Sequence, residues 1–171
     1  SAQLVIDGKI AFERDGVSFK NIEYNWELLS CLLFSLNEKK NVLLDFGGGF
    51  GSTYFQHKKF LSGKIKKWII LEQKGLVNLA NSNLDYKPIY FVHDPKFIFK
   101  NKPTILLLSS VIHYLELPYE KLIELLNIET ITYVIIDRTP FLNQPIDDKI
   151  TVQFVKEKNY KASYPHWLFN E

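Results

Sequence analysis

The residues best suited to chemistry lie in a glycine-rich loop. Residues 45–51, with the sequence DFGGGFG, place four glycines in five positions directly after an apolar run. A strand followed by glycines and a helix N-terminus is a binding site for ligands across the carboxyl edge of a parallel sheet. A phosphate-binding loop also needs Lys followed by Ser or Thr at a fixed distance, and the sequence lacks that pair here. The loop is therefore expected to hold a different kind of ligand.

The loop matches two other known glycine patterns to different degrees. The dinucleotide pattern Gly-x-Gly-x-x-Gly needs a small residue three positions after Gly49, where Ser52 gives a partial match. The pattern Asp-x-Gly-x-Gly-x-Gly is matched without a gap. Its residues here are Asp45, Gly47, Gly49 and Gly51. Gly47 and Gly49 would let the backbone approach a ligand, and Gly51 would let the next helix pack close to the strand.

Polar residues also stand where four later apolar runs end. They are Glu72 and Gln73, His93 and Asp94, Ser109 and Ser110, and Asp137 and Arg138. Because parallel strands end at one edge of a sheet, these side chains are expected near the glycine loop. His113 follows the fourth run by one helical turn, where a histidine can accept a hydroxyl proton near neutral pH. The alternative role for His113 is structural, hydrogen-bonded beneath the loop.

Arginine is scarce in this chain, which has only Arg14 and Arg138. Lysine supplies the positive charge elsewhere, so an arginine at the ligand edge suggests bidentate binding. Two interpretations stay open: Arg138 binds an anionic substrate, or it pairs with a carboxylate such as Asp137. A wall over the substrate pocket could come from the C-terminal segment. Its candidate residues are Tyr160, Tyr164, His166 and Trp167, the last of which is more simply explained as a core contact.

The elements that position these residues are short apolar runs. They are residues 41–46, 67–72, 88–92, 104–109, 132–137 and 150–155. The first five are continuously apolar, which is typical of strands buried on both faces of a parallel sheet, whereas the sixth alternates. Helical spacing predicts crossover helices within 52–63, 74–83 and 117–128. The sequence therefore predicts a doubly wound α/β fold with a mostly parallel, Rossmann-like sheet.

Two further segments, residues 24–36 and 94–103, lie outside these runs and crossover helices. In residues 24–36, the spacing of Trp26, Leu29, Leu33 and Leu36 predicts a helix that packs on the sheet and buries those positions, with Cys31 as a core or near-core thiol. Residues 94–103 are short and bounded by prolines, so an irregular link is expected there.

Composition limits the class of protein. The chain has 171 residues, of which 46% are hydrophobic, so one domain over residues 1–171 can bury a core. The net charge of +2 is too even to indicate a nucleic-acid partner. Scattered histidines and one cysteine give no metal site, and no apolar run reaches the ~20 residues of a membrane span. The single cysteine fits a cytoplasmic location.

The loop and the strand ends together resemble the class I S-adenosylmethionine-dependent methyltransferases. More narrowly, several motifs are similar to those of a bacterial methyltransferase family found among surface-polysaccharide genes. The motifs are FERDG, DFGGGFGS, IILEQ, LLLSSVIHYLELPYEKL, IIDRTPF, ITVQFV and YKASYPHWLF, within residues 11–169. Members of that family usually run further at both ends, so this chain is expected to be a truncated or naturally short member.

The resemblance implies S-adenosyl-L-methionine as the cofactor and assigns roles to the site residues. Glu72 would hold both ribose hydroxyls, a polar residue of the His93–Asp94 pair would meet the adenine, and Ser109 with Ser110 would face the methionine part. The implied cofactor-binding residues are Asp45, Gly47, Gly48, Gly49, Gly51, Glu72, Gln73, His93, Asp94, Ser109 and Ser110. From their positions after the fourth and fifth apolar runs, the candidate catalytic residues are His113, Asp137 and Arg138.

The resulting hypothesis is methyl transfer to a hydroxyl of a sugar, a nucleotide-sugar or a surface-glycan precursor. The alternatives are an NAD(P)-dependent Rossmann oxidoreductase and a cofactor-binding module without catalysis. Class I sheets usually finish with an antiparallel strand pair, for which the residues after 155 are too few. We therefore expect an incomplete sheet edge, open or covered by a second copy or a partner chain.

Overall fold

The fold is built on a central sheet of five parallel strands. The structure is a computed structural model that describes residues 2–14, 17–37, 41–143, 147–155 and 162–170. The sheet has the strand order β5-β4-β3-β6-β7. Its strands are β3 (Asn41–Phe46), β4 (Ile65–Leu71), β5 (Ile89–Val92), β6 (Ile105–Ser109) and β7 (Tyr133–Asp137). The predicted α/β fold with a mostly parallel sheet is confirmed.

The strands are buried because both faces of the sheet are covered. Along β3, Leu43 belongs to one hydrophobic cluster and Leu44 to the other, as expected for neighbours on a pleated strand. The helices are α1 (Ala2–Ile6), α2 (Trp26–Ser35), α3 (Ser52–Leu61), α4 (Lys74–Asn83), α5 (Pro95–Asn101) and α6 (Pro118–Leu126). Side chains of α2 and α3 pack on the first face, and those of α5 and α6 on the second. This layering explains the continuously apolar strand sequences.

Helix α2 forms where it was predicted, but its buried face matches the predicted one only in part, because Leu29 is buried and Leu36 packs against the first cluster as expected while the other two predicted positions are exposed. Leu28, Leu29 and Leu32 are the buried leucines, whereas Trp26 is 57% exposed and Leu33 is 38% exposed. The predicted core position of Cys31 is also wrong, because this thiol is exposed. The segment WELLSCLLFS is apolar around most of its circumference, so its spacing fits two faces and the packing against β7 selects one.

The segment predicted as an irregular link is helix α5. Asp94 caps its N-terminus by accepting a hydrogen bond from the Lys96 backbone N–H at 2.9 Å, and Pro95 occupies its first turn. Proline fits there because its missing N–H would have no partner within the helix. The Asp-Pro pair is therefore a start signal for a helix and not a break.

The N-terminal residues form a hairpin that was not predicted. Strands β1 (Phe12–Arg14) and β2 (Val17–Phe19) pair antiparallel, and Phe12 stacks on Phe19 with ring centroids 4.5 Å apart. The hairpin lies against the start of α3, where the Ser52 hydroxyl donates a 2.9 Å hydrogen bond to Glu13. This contact places β1 at the same edge of the sheet as the glycine loop.

The C-terminal residues form a second small sheet. Its strands, in the order β8-β10-β9, are β8 (Phe141–Leu142), β9 (Lys149–Phe154) and β10 (Ser163–Asn170). The expectation that the residues after 155 are too few for an antiparallel pair is therefore wrong, because β10 pairs antiparallel with β9. Within the described ranges this pair does not extend the five-stranded sheet, which ends at β7. Instead, Trp167 of β10 donates an indole hydrogen bond to the Leu115 carbonyl at 3.0 Å.

Candidate functional site

The glycine loop after β3 contains glycines for three different physical reasons. A Cβ at Gly47 would lie 2.4 Å from Val111, and one at Gly48 would lie 2.4 Å from the Asp45 carboxyl group. A Cβ at Gly51 would lie 3.0 Å from Ile89, so this glycine allows α3 to pack on the sheet, as predicted. Gly49 has a φ of 58° and open space where a side chain would be. Among these four, Gly49 is the one at which an added Cβ would meet no atom within 4 Å.

Asp45 lies beneath the loop with 1% of its surface exposed. The indole N–H of Trp68 on β4 donates a 2.8 Å hydrogen bond to its carboxylate, and the Gly48 backbone packs against the same group. Burial raises the pKa of Asp45 to about 7, an effect that the Trp68 hydrogen bond opposes. Asp45 therefore packs against the loop at Gly48, and its raised pKa leaves it partly protonated near neutral pH, where an exposed aspartate would be ionised.

Glu72 connects the end of β4 to the loop. Its Oε1 accepts a hydrogen bond from the Gly49 N–H at 3.1 Å, and its Oε2 accepts one from the Gln73 N–H at 3.0 Å. The side chain is half-buried, with its carboxylate beside the part of the loop that faces open space. Both carboxylate oxygens are oriented by backbone amides, which suits a group that must also accept hydrogen bonds from a ligand.

A cavity of about 600 Å³ runs from the glycine loop along the carboxyl ends of β3, β6 and β7. Its walls come from the N-terminal hairpin, the loop, the ends of the parallel strands and β10. The lining residues are Glu13, Arg14, Asp45, Gly47, Gly48, Gly49, Phe50, Ser52, Thr53, Leu76, Ser109, Ser110, Tyr114, Arg138, Tyr164 and Pro165. The volume lies within the roughly 300–1,000 Å³ typical of small-molecule sites.

The predicted cofactor-binding residues divide into two groups around this cavity. Those that line it are Asp45, Gly47, Gly48, Gly49, Ser109 and Ser110. Outside this lining lie Gly51, Glu72, Gln73, His93 and Asp94. His93 and Asp94 are exposed at the end of β5, two strands from β3, and Asp94 is occupied as the cap of α5. The second group thus lies along the same sheet edge, on the β4 and β5 side of the cavity.

Asp137 and Arg138 lie at the end of β7 in a polar network. The Asp137 carboxylate accepts hydrogen bonds from the Ser109 hydroxyl at 2.7 Å and from the Asn25 amide at 3.1 Å. The Arg138 guanidinium lies 3.2 Å from Asp137 and donates to Ser109 at 2.9 Å. Arg138 lines the cavity whereas Asp137 lies behind it. Both earlier interpretations of Arg138 therefore have a physical basis, because it pairs with Asp137 and also faces the cavity.

Two residues at this edge have unusual backbone conformations. Ser110 has a φ of 57° and Arg138 a φ of 51°, values in the left-handed region that side chains other than glycine rarely adopt. The Ser110 N–H donates to the Asp137 carbonyl at 2.9 Å, which ties the ends of β6 and β7 together. Such conformations are maintained by surrounding structure and concentrate at functional sites.

His113 is buried behind the cavity wall with 3% of its surface exposed. Its ring packs against Tyr114 and against His166, at centroid distances of 4.1 Å and 4.8 Å. Its Nδ1 has no hydrogen-bond partner among the residues that the structure describes. Burial, helped by His166 and Arg138, lowers the pKa of His113 to about 4, so the ring is neutral near neutral pH.

The predicted aromatic wall is formed in part. Tyr164 lines the cavity together with Tyr114, which was not predicted. Trp167 packs instead against the second hydrophobic cluster, the core contact that was its simpler interpretation, and His166 contacts His113. Tyr160 lies outside the described residues.

Sequence reasoning missed two charged residues of the cavity, Glu13 and Arg14. Both come from the N-terminal hairpin, and the Arg14 guanidinium donates a 2.7 Å hydrogen bond to the Gln56 side chain on α3. The scarcity of arginine was a usable signal, because both arginines of the chain line this cavity. Only Arg138 followed a predicted strand, so only Arg138 was placed at the site.

The described ranges contain neither a metal-ion cluster nor a membrane-spanning helix. No group of three or more His, Cys, Asp or Glu side chains there could hold a metal ion. Within the same ranges, none of the helices combines the length and the apolar character needed to cross a bilayer.

Comparisons with known proteins bear on the fold. No family model and no curated protein matches the chain. The N-terminal domain of EvdMO1, solved in the presence of SAH and D-fucose, is 10% identical over 99% of this chain and 80% of that one, with a TM-score of 0.51. LepI in complex with SAM is 16% identical over 63% of this chain, with a TM-score of 0.44; the chain spans only 29% of LepI.

An rRNA methylase from Streptococcus thermophilus is also similar in structure, with 12% identity over 88% of this chain and 99% of that one and a TM-score of 0.44. At these identities the comparisons speak to the fold. The five-stranded parallel sheet and the likeness to the EvdMO1 domain show an α/β protein with a Rossmann-like fold.

Proposed function

We propose that this chain is an S-adenosylmethionine-dependent methyltransferase. The observation that carries the proposal is one cavity that joins the glycine loop after β3 to the ends of β6 and β7. In open α/β sheets ligands bind at this edge, so the cavity can hold a cofactor and an acceptor side by side. The EvdMO1 domain, which has a similar fold, was solved with SAH.

The residues around the loop suit this cofactor. Gly49 leaves open space beside its backbone, where the methionine part could approach. The Glu72 carboxylate lies next to Gly49 and could accept hydrogen bonds from both ribose hydroxyls. His93 and Asp94, at the end of the neighbouring strand β5, would then lie on the adenine side. When bound, the cofactor supplies a methyl group activated by a positively charged sulfur.

The acceptor would occupy the part of the cavity over β6 and β7. There Ser109, Ser110 and Arg138 present polar groups, and Tyr114 with Tyr164 offers aromatic walls. We propose a hydroxyl of a sugar, a nucleotide-sugar or a surface-glycan precursor as the acceptor. This choice is supported by the family resemblance of the motifs, and the EvdMO1 domain was crystallised with D-fucose. A cytoplasmic enzyme of polysaccharide synthesis, acting as one domain, is the corresponding biological role.

Methyl transfer depends mainly on alignment and on exclusion of water, with a base where the acceptor is a weak nucleophile. Arg138, fixed by Asp137 and Ser109, would align the acceptor. His113 is the proposed base, because its ring is neutral near neutral pH and its Nδ1 has no partner among the described residues. Since His113 is buried, Tyr114 or His166 must move for it to reach a hydroxyl.

The first experiment measures cofactor binding. Calorimetric titration with SAH and, separately, with NAD distinguishes the methyltransferase from an oxidoreductase, and we expect binding of SAH alone. The Glu72→Ala variant should bind SAH more weakly by about 1–3 kcal/mol, because buried ribose hydroxyls lose their partner. Glu129→Ala is the matched control. Glu129 is exposed and precedes the start of β7, so it lies at the amino ends of the strands, away from the cavity.

The second experiment measures turnover. Mass spectrometry of a panel of sugars, nucleotide-sugars and glycan precursors, incubated with the protein and S-adenosylmethionine, should detect a methylated product. Tight SAH binding without any product from the panel would favour the non-catalytic module. Absence of SAH binding by the folded wild-type protein would overturn the proposal itself.

A further inference from the structure

The end of the molecule opposite the cavity carries many lysines. With histidine neutral, the charged residues of 46–71 and of 95–115 are all lysines. Helices α3 and α5 end, and β4 and β5 begin, at the amino edge of the sheet, so the fold gathers most of these lysines there. Together with the lysine before β5 they form a surface that we call the lysine face. Its members are Lys58, Lys59, Lys64, Lys66, Lys67, Lys87, Lys100 and Lys102.

Side-chain contacts connect the elements that carry the lysine face. The ammonium groups of Lys67 and Lys87 lie 5.5 Å and 4.5 Å from the centre of the Tyr90 ring. Lys67 also donates a hydrogen bond to Asn101, the last residue of α5. On the other side, the Lys58 ammonium lies 4.8 Å from the ring of the tyrosine that precedes Lys87. Residues of α3, β4, β5 and α5 therefore form one connected positive surface.

The lysine face is open to a large partner. All of its lysines are exposed except Lys67, which is half-buried. Lys64, Lys66 and Lys100 have no ion-pair partner among the residues that the structure describes. Their charges are therefore available to an anionic surface outside the molecule.

Acidic side chains offset this charge only in part. Asp85 lies 3.8 Å from Lys87, and Glu129 lines a small cavity together with Lys102. Two carboxylates beside eight lysines leave the face strongly positive. The near-neutral charge of the whole chain thus hides an uneven distribution, and such a surface attracts polyanions.

The competing explanation is that the lysines serve only their own helices. Lys58, Lys59 and Lys100 lie in the last turns of α3 and α5, where a positive charge is favourable next to the helix dipole. This explanation does not extend to Lys64 and Lys66, which lie at the start of β4. A partner outside the chain accounts for both groups.

The chemistry of the face favours a lipid surface over a nucleic acid. The face has lysines and no arginine, so it lacks the forked donors that recognise single phosphates. The rings of Tyr86 and Tyr90 are half-buried beneath lysines and offer little surface for stacking on bases. Phe99, by contrast, is 61% exposed and lines the small cavity with Lys102. An exposed apolar ring beside lysines suits the boundary between lipid headgroups and acyl chains.

We infer that the lysine face binds the surface of an anionic lipid bilayer, with the Phe99 ring entering the headgroup region. The cavity opens at the opposite, carboxyl edge of the sheet, so it stays accessible in the bound protein. The inference depends on the charges and exposure of this end of the molecule and not on the proposed function.

The test is sedimentation of the protein with vesicles of phosphatidylcholine alone or mixed with phosphatidylserine. The wild type should bind the anionic vesicles and not the neutral ones, and added salt should weaken the binding. A variant that combines Lys64→Gln, Lys66→Gln and Lys100→Gln should bind the anionic vesicles roughly a hundredfold more weakly, since each lysine near such a surface contributes about fivefold. These side chains are exposed, so the variant should keep the wild-type Tm.

Two further variants complete the design. A control removes the same charge from three exposed lysines outside the lysine face, by replacing with glutamine Lys20, Lys74 and Lys149. This control should bind the anionic vesicles within a few-fold of the wild type. Phe99→Ala should weaken vesicle binding about tenfold, because less apolar surface leaves water.

The outcomes separate the partners. Binding to neither kind of vesicle, equal binding to both, or equal losses in the two triple variants would overturn the inference. Binding of a mixed-sequence RNA oligonucleotide without binding of anionic vesicles would also overturn it and identify a nucleic-acid partner. If the lysine-face variant does not fold, Phe99→Ala decides, and an unchanged affinity of that variant for anionic vesicles contradicts the inference.

Discussion

Asp45 links the chemistry of the site to the stability of the fold. Its pKa is about 7 in the folded chain and about 3.8 when exposed. Between these values the folded state holds a proton that the unfolded state has lost, so the free energy of unfolding decreases as the pH rises. The Asp45→Asn variant has no such proton. We expect the variant to gain stability relative to the wild type as the pH rises from about 4 to about 7, by up to roughly 4 kcal/mol.

Urea denaturation of both proteins across this pH range measures the effect. His113 acts in the opposite direction, because its lowered pKa makes folding less favourable as the pH falls from 6.5 towards 4. Taking the difference between variant and wild type cancels this contribution. A stability difference that stays constant with pH would contradict the assigned protonation of Asp45.

At the scale of single residues, the sequence identified the glycine loop but not the contacts that surround Asp45 beneath it. Asp45 and the glycines were recognised from their spacing alone. The hydrogen bond from Trp68 was not foreseen, since it depends on the β3–β4 register, which sets Asp45 opposite Ile70 and brings a residue 23 positions away beside it. The pKa of Asp45 depends on that burial and so was equally invisible in the sequence.

At the scale of elements, Gly51 controls the contact between α3 and the sheet. Its φ is 85°, and a Cβ there would lie 3.0 Å from Ile89 and 3.3 Å from Ile70. Gly63 has a φ of 78° but open space around it, so its replacement by alanine costs only the backbone strain, roughly 1–2 kcal/mol. We expect Gly51→Ala to lower the free energy of unfolding by more than Gly63→Ala, as measured by urea denaturation. Equal losses would mean that α3 shifts freely on the sheet.

The elements that the sequence predicted well are those with a single interpretation. The five parallel strands were placed within about two residues of their observed bounds, because continuous apolar runs between helical segments fit few other folds. Helix α2 was placed correctly, but its buried face was predicted only in part, since its apolar circumference fits two faces. The β1–β2 hairpin is short and its outer strand is mostly exposed, so it left no clear periodicity in the sequence.

At the scale of the whole molecule, the cavity is closed by the two ends of the described chain. Glu13 and Arg14 come from its first strand, and Tyr164 and Pro165 from its last. These contacts join residues about 150 positions apart in sequence, so local pattern could not predict them. Because the ligand would touch both ends, its binding should stabilise the entire fold and not only the loop.

Thermal unfolding with and without SAH tests this coupling with two matched glycine variants. For the wild type, SAH at about 100 times its dissociation constant should add about 2.7 kcal/mol to the free energy of unfolding and raise the Tm by roughly 5–10 °C.

Gly49 and Gly63 both have a positive φ, of 58° and 78°, and open space where a side chain would be. Without ligand, alanine at either position should therefore lower the Tm by a similar amount. Of these two glycines, Gly49 lines the cavity and Gly63 does not. Gly49→Ala should therefore lose the SAH-induced rise in Tm, while Gly63→Ala should keep it. A full SAH-induced rise in the Gly49 variant would show that the cofactor does not approach the loop.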